Sequence, residues 1–317
     1  RLVGSEMCIR EQPVAGRRAG EMTPRALRTL TRLGLSGLCL GGGALAAGLT
    51  LALGGDINLA RGAYQPGGQP FAPLAGALRA DVVLANLESP LTNRPKATSG
   101  IDLRASPAAV AALRPFTALS TENNHAGDGG EAGRRQNEQV LRGSGLVPVS
   151  RQVTWLNVKG VNLALLAYLD DGRSPPPLAE VRRAAAQADL VVVLPHWGAE
   201  YNGVTARQRQ QARALVDAGA GLVVGSGPHV LQGHEWLGRA LVLYSLGNLL
   251  FDQPYPATWA GAVVHVTLQQ GKMQACAFPT FSRAGRVQPG RAAERTAVRE
   301  RLGLPLCPAS EEQHATI

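Results

Sequence analysis

A layered α/β domain is the fold this sequence predicts, and three observations predict it. Apolar runs that read as strands buried on both faces, such as LTLAL at 49–53 and LVVVLP at 190–195, recur through the middle of the chain. Segments with helical spacing and capping signals alternate with them. Short polar clusters sit where the apolar runs end: Asp56, then Asn86 and Glu88, then Asn123, Asn124 and His125, then His196, and finally His229. Ligands of open α/β sheets bind beyond the carboxyl ends of the strands, so adjacent strands would bring these clusters to one rim. Carboxylates, amides and imidazoles gathered there point to metal-dependent hydrolysis.

Each element has its own local reason. After the strand at 49–55 comes an apolar-spaced helix around 71–80, then a strand at 81–85. Ser106 and Pro107 open a helix well, a capping hydroxyl followed by a residue whose missing N–H costs nothing there. That helix should end near Arg114 and Pro115, with FTALS as the next strand. Residues 131–142 read as a helix closed by Gly143, and VNLALLAY at 161–168 as a strand. Beyond Pro175, Pro176 and Pro177, a helix at 178–188 precedes the β-branched strand at 190–194. Thr205 caps a helix carrying Ala212, Leu215 and Val216, and Gly219 ends it. Strands at 221–224, 240–245 and 261–268 follow with little helix between them, which makes the later part more antiparallel. No internal repeat is present.

Composition bounds the function. The 317 residues are 45% hydrophobic, 17% charged and only 4% aromatic, a globular composition whose core rests on aliphatic and alanine packing. The net charge of +9 is concentrated at the ends: residues 1–46 carry +4 and residues 283–317 carry +2, leaving +3 for everything between. With no basic patch interleaved with aromatics, nucleic acid is excluded as the expected partner. Cys8, Cys39, Cys276 and Cys307 show no C-x-x-C spacing. Cys276 and Cys307 could pair in an oxidising compartment, although two thiols in a large domain are more often free.

The first 47 residues read as an extension with a signal-peptide-like segment. Met7 and Met22 are both candidate starts. From Met22 the order is Arg25, Arg28 and Arg32, an uncharged stretch at 33–47, and Ala44-Leu45-Ala46 as an A-x-A cleavage site. The stretch of about 15 residues falls short of the ~20 that a spanning helix needs, so export is favoured over a membrane anchor. Leu38 before Cys39 weakens a lipoprotein reading. The main domain is expected at 48–282, and 283–317 as a tail or a loosely docked final helix.

Taken singly, the polar residues have ordinary readings. Asp56 after Gly54 and Gly55 reads as a turn aspartate, and Glu88 before Ser89 and Pro90 as a turn residue. The Asn123, Asn124, His125 triplet is harder to dismiss, since each group needs a partner if buried. Asp128 stands where it could orient His125 and stabilise its protonated form. His196 and His229 gain weight from each other. The loop at 225–228 contains G-x-G, but Val230 occupies the third glycine position of a dinucleotide fingerprint.

Read in order, GDINL (55–59), ANLESPLT (85–92), ENNHAGDGG (122–130), LPHWGAEY (194–201), GPHVLQGHE (227–235) and VLYSLGNLLFD (242–252) resemble the bacterial capsule-synthesis protein CapA family. That family is associated with poly-γ-glutamate capsules and related to the calcineurin-like metallophosphoesterases. The resemblance implies a four-layer αββα sandwich with mixed sheets and a dinuclear Mn, Fe or Zn site. Carried over, Asp56, Glu88, Asn124, His196 and His229 would be metal ligands, with Glu88 bridging. His125 would be the proton donor or phosphate contact, paired with Asp128.

Two departures stand out. Asn58 occupies the position of a ligand histidine in general metallophosphoesterases. Gly227 replaces the first histidine of the family's G-x-H-P-H, with His234 as a candidate substitute. The resemblance therefore implies either an exported phosphoesterase-like hydrolase of capsule or envelope polymer biosynthesis, or a non-catalytic scaffold that holds an anionic polymer. Expected partners are an anionic polymer or phosphoester and membrane-bound capsule machinery, in an extracytoplasmic location.

Overall fold

The computed structural model describes residues 48–308. The signal-peptide-like segment expected within 1–47 lies outside the described residues, as do Cys8 and Cys39. In chain order the first four strands are β1 (Leu49–Ile57), β2 (Val82–Leu87), β3 (Ala118–Ser120) and β4 (Val147–Val149), with helix α1 at Gly130–Gly143 before β4. Then come β5 (Thr154–Val158), β6 (Val161–Leu169), α2 (Leu178–Ala185), β7 (Leu190–His196), α3 (Ala206–Asp217) and β8 (Leu222–Val224). The last part holds β9 (His234–Leu237), β10 (Ala240–Leu243), β11 (Asn248–Leu250), β12 (Ala260–Gln269), β13 (Lys272–Arg283), β14 (Arg286–Pro289) and α4 (Ala292–Ala297).

Two mixed sheets result. The larger runs β14-β13-β12-β1-β2-β3-β4, with β11 also pairing β1, and the smaller runs β5-β6-β7-β8-β10-β9. In the larger sheet β1 to β4 are parallel, whereas β12, β13 and β14 form an antiparallel ribbon on the other side of β1. Alternate residues of the two sheets meet in one core: Leu51, Leu53 and Leu84 face Leu163, Leu165, Val192 and Leu243. The opposite face of the larger sheet packs against Phe71, Leu74, Leu113 and Leu141, and that of the smaller sheet against Val181, Ala212 and Leu215 of α2 and α3. Four layers in the order helix, sheet, sheet, helix follow: the layered α/β domain that the sequence predicts, in the sandwich form that the resemblance implies. Thr205 does cap α3, in a reciprocal arrangement with Gln208.

The differences have local causes. The helix expected around 71–80 is a single 3-10 turn at Ala72–Leu74 followed by irregular turns. Pro70 and Pro73 remove two donors within four residues, and Gly76 costs a helix about 1 kcal/mol. The helix opened by Ser106 forms as a 3-10 segment, Pro107–Leu113, with the serine hydroxyl accepting from the Ala108 amide. β13 escapes a sequence reading because Pro279 interrupts a weakly apolar run, yet Pro279 lies opposite Ala262 in an unbroken ladder.

The segment from residue 283, expected as a tail or a loosely docked final helix, holds a strand and a helix. β14 extends the larger sheet, and Val298, Leu302 and Leu304 are buried in the core between the sheets. Cys307 is disulfide-bonded to Cys276 of β13, so the less common of the two thiol states is the one observed. Among the described residues no helix is long and apolar enough to cross a membrane.

Candidate metal centre

Asp56 is delivered by a close approach of two backbones rather than by a simple turn. A Cβ on Gly55 would lie 1.9 Å from the Gly247 carbonyl oxygen, so only glycine lets β1 run beside the segment that leads into β11. There Asp56 pairs with Asn248 and its own N–H bonds the Gly247 carbonyl at 3.0 Å. The carboxylate is fully buried. Its Oδ1 accepts from Asn86 Nδ2 at 2.8 Å, and its Oδ2 accepts from the Gly227 N–H at 3.2 Å.

Glu88 follows β2 on the neighbouring strand end and is only 1% exposed. Neither carboxylate oxygen has a hydrogen-bond partner. An unpaired buried charge is costly, so the carboxyl must either keep its proton or meet a cation. Burial, helped by the nearby Asp56 charge and partly offset by His229, pushes its pKa up to about 8.

His229 completes the group from the other sheet's side. Its backbone is left-handed, with φ of +58°, a conformation a non-glycine residue adopts only when its surroundings enforce it. Nδ1 lies 3.0 Å from Asn248 Oδ1 and 3.2 Å from Asp56 Oδ2, two acceptors, so that nitrogen carries the proton. Nε2 is thereby left facing Glu88 Oε1 at 3.6 Å. Asn248 is itself oriented, its Nδ2 donating to Gln253 Oε1 at 2.8 Å. Burial alone would lower the His229 pKa, but the Glu88 and Asp56 carboxylates raise it to about 10. Burial likewise works against the Asp56 carboxylate, yet the His229 hydrogen bond and charge hold it below the usual range.

One donor atom from each of Asp56, Glu88 and His229 lies within 4.8 Å of the others. With an orphan carboxylate, a second carboxylate and an imidazole whose outer nitrogen is fixed, these residues fit a divalent cation.

The other sequence-predicted residues fall into two classes. His196, at the end of β7, is 5% exposed and lies beside the group without joining it. Asn86 Nδ2 bridges to it, at 3.3 Å from His196 Nδ1, and Ser226 Oγ lies 3.0 Å from the same nitrogen. Burial drives its pKa down to about 4 despite the Asp56 charge, so the ring is neutral at neutral pH. His125 and Asp128 pair as expected, Nδ1 to Oδ2 at 3.0 Å. Asp128 is locked by Thr98 Oγ1 and the Leu103 N–H. The dyad stands near enough to His196 for the His125 charge to depress that ring further.

Asn124, by contrast, is exposed. The buried amide is Asn123, whose Nδ2 donates to Asn86 Oδ1 and the Leu87 carbonyl. Asn58 is fully committed elsewhere, accepting from Ser89 and Ala60 and donating to Asp252. His234 does not replace the histidine missing at 227, because its Nδ1 is bonded to the Leu302 carbonyl at 2.7 Å. Gly227 has φ of +107°, and a Cβ there would meet the Trp197 carbonyl oxygen at 3.0 Å and His196 Nε2 at 3.1 Å. Asn86, Asn123 and Asn248 hold the donors in place, a role that sequence reasoning does not assign to them. Their signal is polarity at the end of an apolar strand, which does not distinguish a ligand from a ligand's support.

Fold and donor set together define a class: a four-layer α/β sandwich with a buried carboxylate and imidazole group at its strand ends. The family model described as bacterial capsule synthesis protein PGA_cap matches residues 50–253, and the chain belongs to that family. Among its relatives, the PGA biosynthesis protein CapA of Bacillus subtilis (strain 168) is 34% identical over 221 residues, 60% of this chain and 58% of the relative. The capsule biosynthesis protein CapA of Bacillus anthracis is 33% identical over 225 residues, 60% of this chain and 55% of the relative. The chain thus spans little more than half the length of these curated relatives. A solved structure of a hypothetical protein from Thermus thermophilus aligns with a TM-score of 0.48 at 18% identity, covering 73% of this chain and 99% of that one.

Proposed function

We propose that this chain is an exported CapA-like protein of capsule poly-γ-glutamate or envelope polymer biosynthesis, and that its strand-end group is a divalent-metal site for phosphoester hydrolysis. The observation that carries the reading is Glu88: a buried carboxylate whose oxygens accept no hydrogen bond, close to Asp56 and 3.6 Å from Nε2 of His229. Asp56, Glu88 and His229 would hold a first ion, and His196, beside them, would be available to a second. Bound Mn, Fe or Zn supplies Lewis-acid neutralisation of charge that develops on the phosphoryl oxygens. Asn86 and Asn248 fix the donors, so no reorganisation is needed when substrate arrives. His125, oriented by Asp128, gives a proton to the departing oxygen. Export is supported by the charge and apolarity order of residues 22–47 and by the Cys276–Cys307 disulfide.

The test is metal analysis of the purified full chain together with turnover of a generic phosphoester. Stoichiometric Mn, Fe or Zn and a rate that falls about a hundredfold or more in His125→Ala are expected. Metal-free protein that stays inactive after reconstitution would end the hydrolase reading. One observation favours a second reading, a scaffold that holds an anionic polymer at the membrane-bound capsule machinery without turnover. Among the described residues only three donors gather, and Gly227 supplies none. Polymer binding that ignores chelator, with no turnover, is its signature.

A further inference from the structure

His229 sits in a box whose walls come from both sheets. The Phe251 ring meets its ring edge-on, centroids 4.9 Å apart at 61°, and the Tyr201 ring lies 6.2 Å away at 34°. Asn248 forms a third wall, with Oδ1 3.0 Å from His229 Nδ1. Two of these walls converge on one further side chain, Gln253, half-buried in the segment that follows β11. Its Oε1 accepts from Asn248 Nδ2 at 2.8 Å, and its Nε2 donates to the Tyr201 hydroxyl at 3.1 Å. Its own backbone is fixed, the carbonyl accepting from the Trp259 indole Nε1 at 3.1 Å. β11 pairs with β1 of the larger sheet, whereas Tyr201 and His229 stand on loops that follow β7 and β8 of the smaller one. The glutamine therefore joins the two sheets beside the histidine.

The direction of these bonds decides what the ring can do. An asparagine amide has an acceptor at one end and donors at the other, and only the acceptor end suits an imidazole that carries its proton on Nδ1. Turned round, Asn248 would present Nδ2 to that nitrogen and favour the proton on Nε2, the nitrogen 3.6 Å from Glu88 Oε1. Two acceptors at the far end oppose the turn: Gln253 Oε1 and, at a longer 3.3 Å, the Thr258 carbonyl. Building on the proposed function, we infer that Gln253 is a positioning residue for the metal site. Through Asn248 it keeps the His229 proton on Nδ1 and leaves Nε2 open to the ion, and through Tyr201 it ties the loop after β7 to the same contact.

Two substitutions in the full chain test this. Gln253→Met removes both side-chain bonds at similar length, whereas Gln253→Glu keeps an acceptor for Asn248 and can accept from the Tyr201 hydroxyl. The first readout needs no metal: His229 carries Nδ1–H whether its ring is neutral or protonated, so the NMR signal of that proton in chelator reports how firmly it is held. The second is Mn²⁺ affinity by titration calorimetry, with thermal melts to show that both variants fold. Gln253→Met should lose the exchange-protected signal and bind Mn²⁺ about tenfold or more weakly. Gln253→Glu should keep the signal and hold Mn²⁺ at least as tightly as the parent. Parent-like protection and affinity in Gln253→Met, or equal losses in the two variants, overturn the inference. The two proposals fail separately. A parent chain that binds no Mn²⁺ ends the metal reading while loss of the signal in Gln253→Met upholds the grip on His229, and Mn²⁺ bound equally by all three chains with the signal unchanged does the reverse.

Discussion

Glu88→Gln keeps the shape of the buried side chain and removes its ability to ionise, which separates two effects. Metal content should fall about tenfold or more by elemental analysis, because one of three gathered donors is lost. In chelator, the gap in melting temperature between variant and parent should move in the variant's favour from pH 5 to pH 8, as the parent's carboxyl, with its pKa near 8, is forced to ionise in a buried place. A gap that stays constant across that range would show Glu88 to be solvated. Gly227→His makes the opposite kind of change. It restores an imidazole in sequence but places a Cβ against the Trp197 carbonyl and His196 Nε2 on a left-handed backbone. A destabilisation of about 1–3 kcal/mol and no gain in bound metal are expected from denaturant unfolding and elemental analysis. A gain in metal without loss of stability would mean that the loop can reshape and that the natural glycine merely lacks a ligand.

At the scale of elements, the carboxyl-terminal segment behaves as part of the core. The disulfide closes a loop with a sequence separation of 31, for which cross-linking contributes roughly 2–4 kcal/mol. Cys276→Ser should lower stability by about that amount in chemical denaturation, and ending the chain at residue 282 should yield insoluble protein because Val298, Leu302 and Leu304 leave the core. A 1–282 fragment that melts like the parent would contradict this. These elements also mark where sequence patterns run out. Continuous β-branched runs such as that of β7 are legible because burial on both faces leaves no other reading. β13 and β14 are not, since their side chains are half polar and follow no clean alternation. Within the site, Asp56, Glu88, His229 and the His125–Asp128 pair are visible as polarity at strand ends. The strand-end turn buries Asn123 and exposes Asn124, and no periodicity in the sequence distinguishes the two adjacent amides.

For the whole molecule, the protonation states of the metal-free site set a pH dependence of known sign. Glu88, raised from 4.5 to about 8, and His229, raised from 6.5 to about 10, both keep protons in the folded chain that the unfolded chain has released. Stability from each is present below its unfolded value and is lost as pH rises toward its folded value, on the order of 1 kcal/mol per pH unit per group. His196, depressed to about 4, acts in the opposite sense but only below pH 6.5. The melting temperature in chelator should therefore fall from pH 6.5 to pH 8, and saturating Mn²⁺ should flatten the slope, since ligands bind metal without their protons. A chelator melt that rises over that interval is the contrary result. The donors come from both sheets, Asp56 and Glu88 from the ends of β1 and β2, and His229 from the loop that follows β8. An ion bound there is a rivet through the seam of the sandwich, so its grip depends on how the two halves seat. Trimming a remote contact across that seam, as in Leu165→Ala, should loosen the ion while touching none of its ligands, and the ion's dissociation constant then becomes a gauge of packing far from the chemistry.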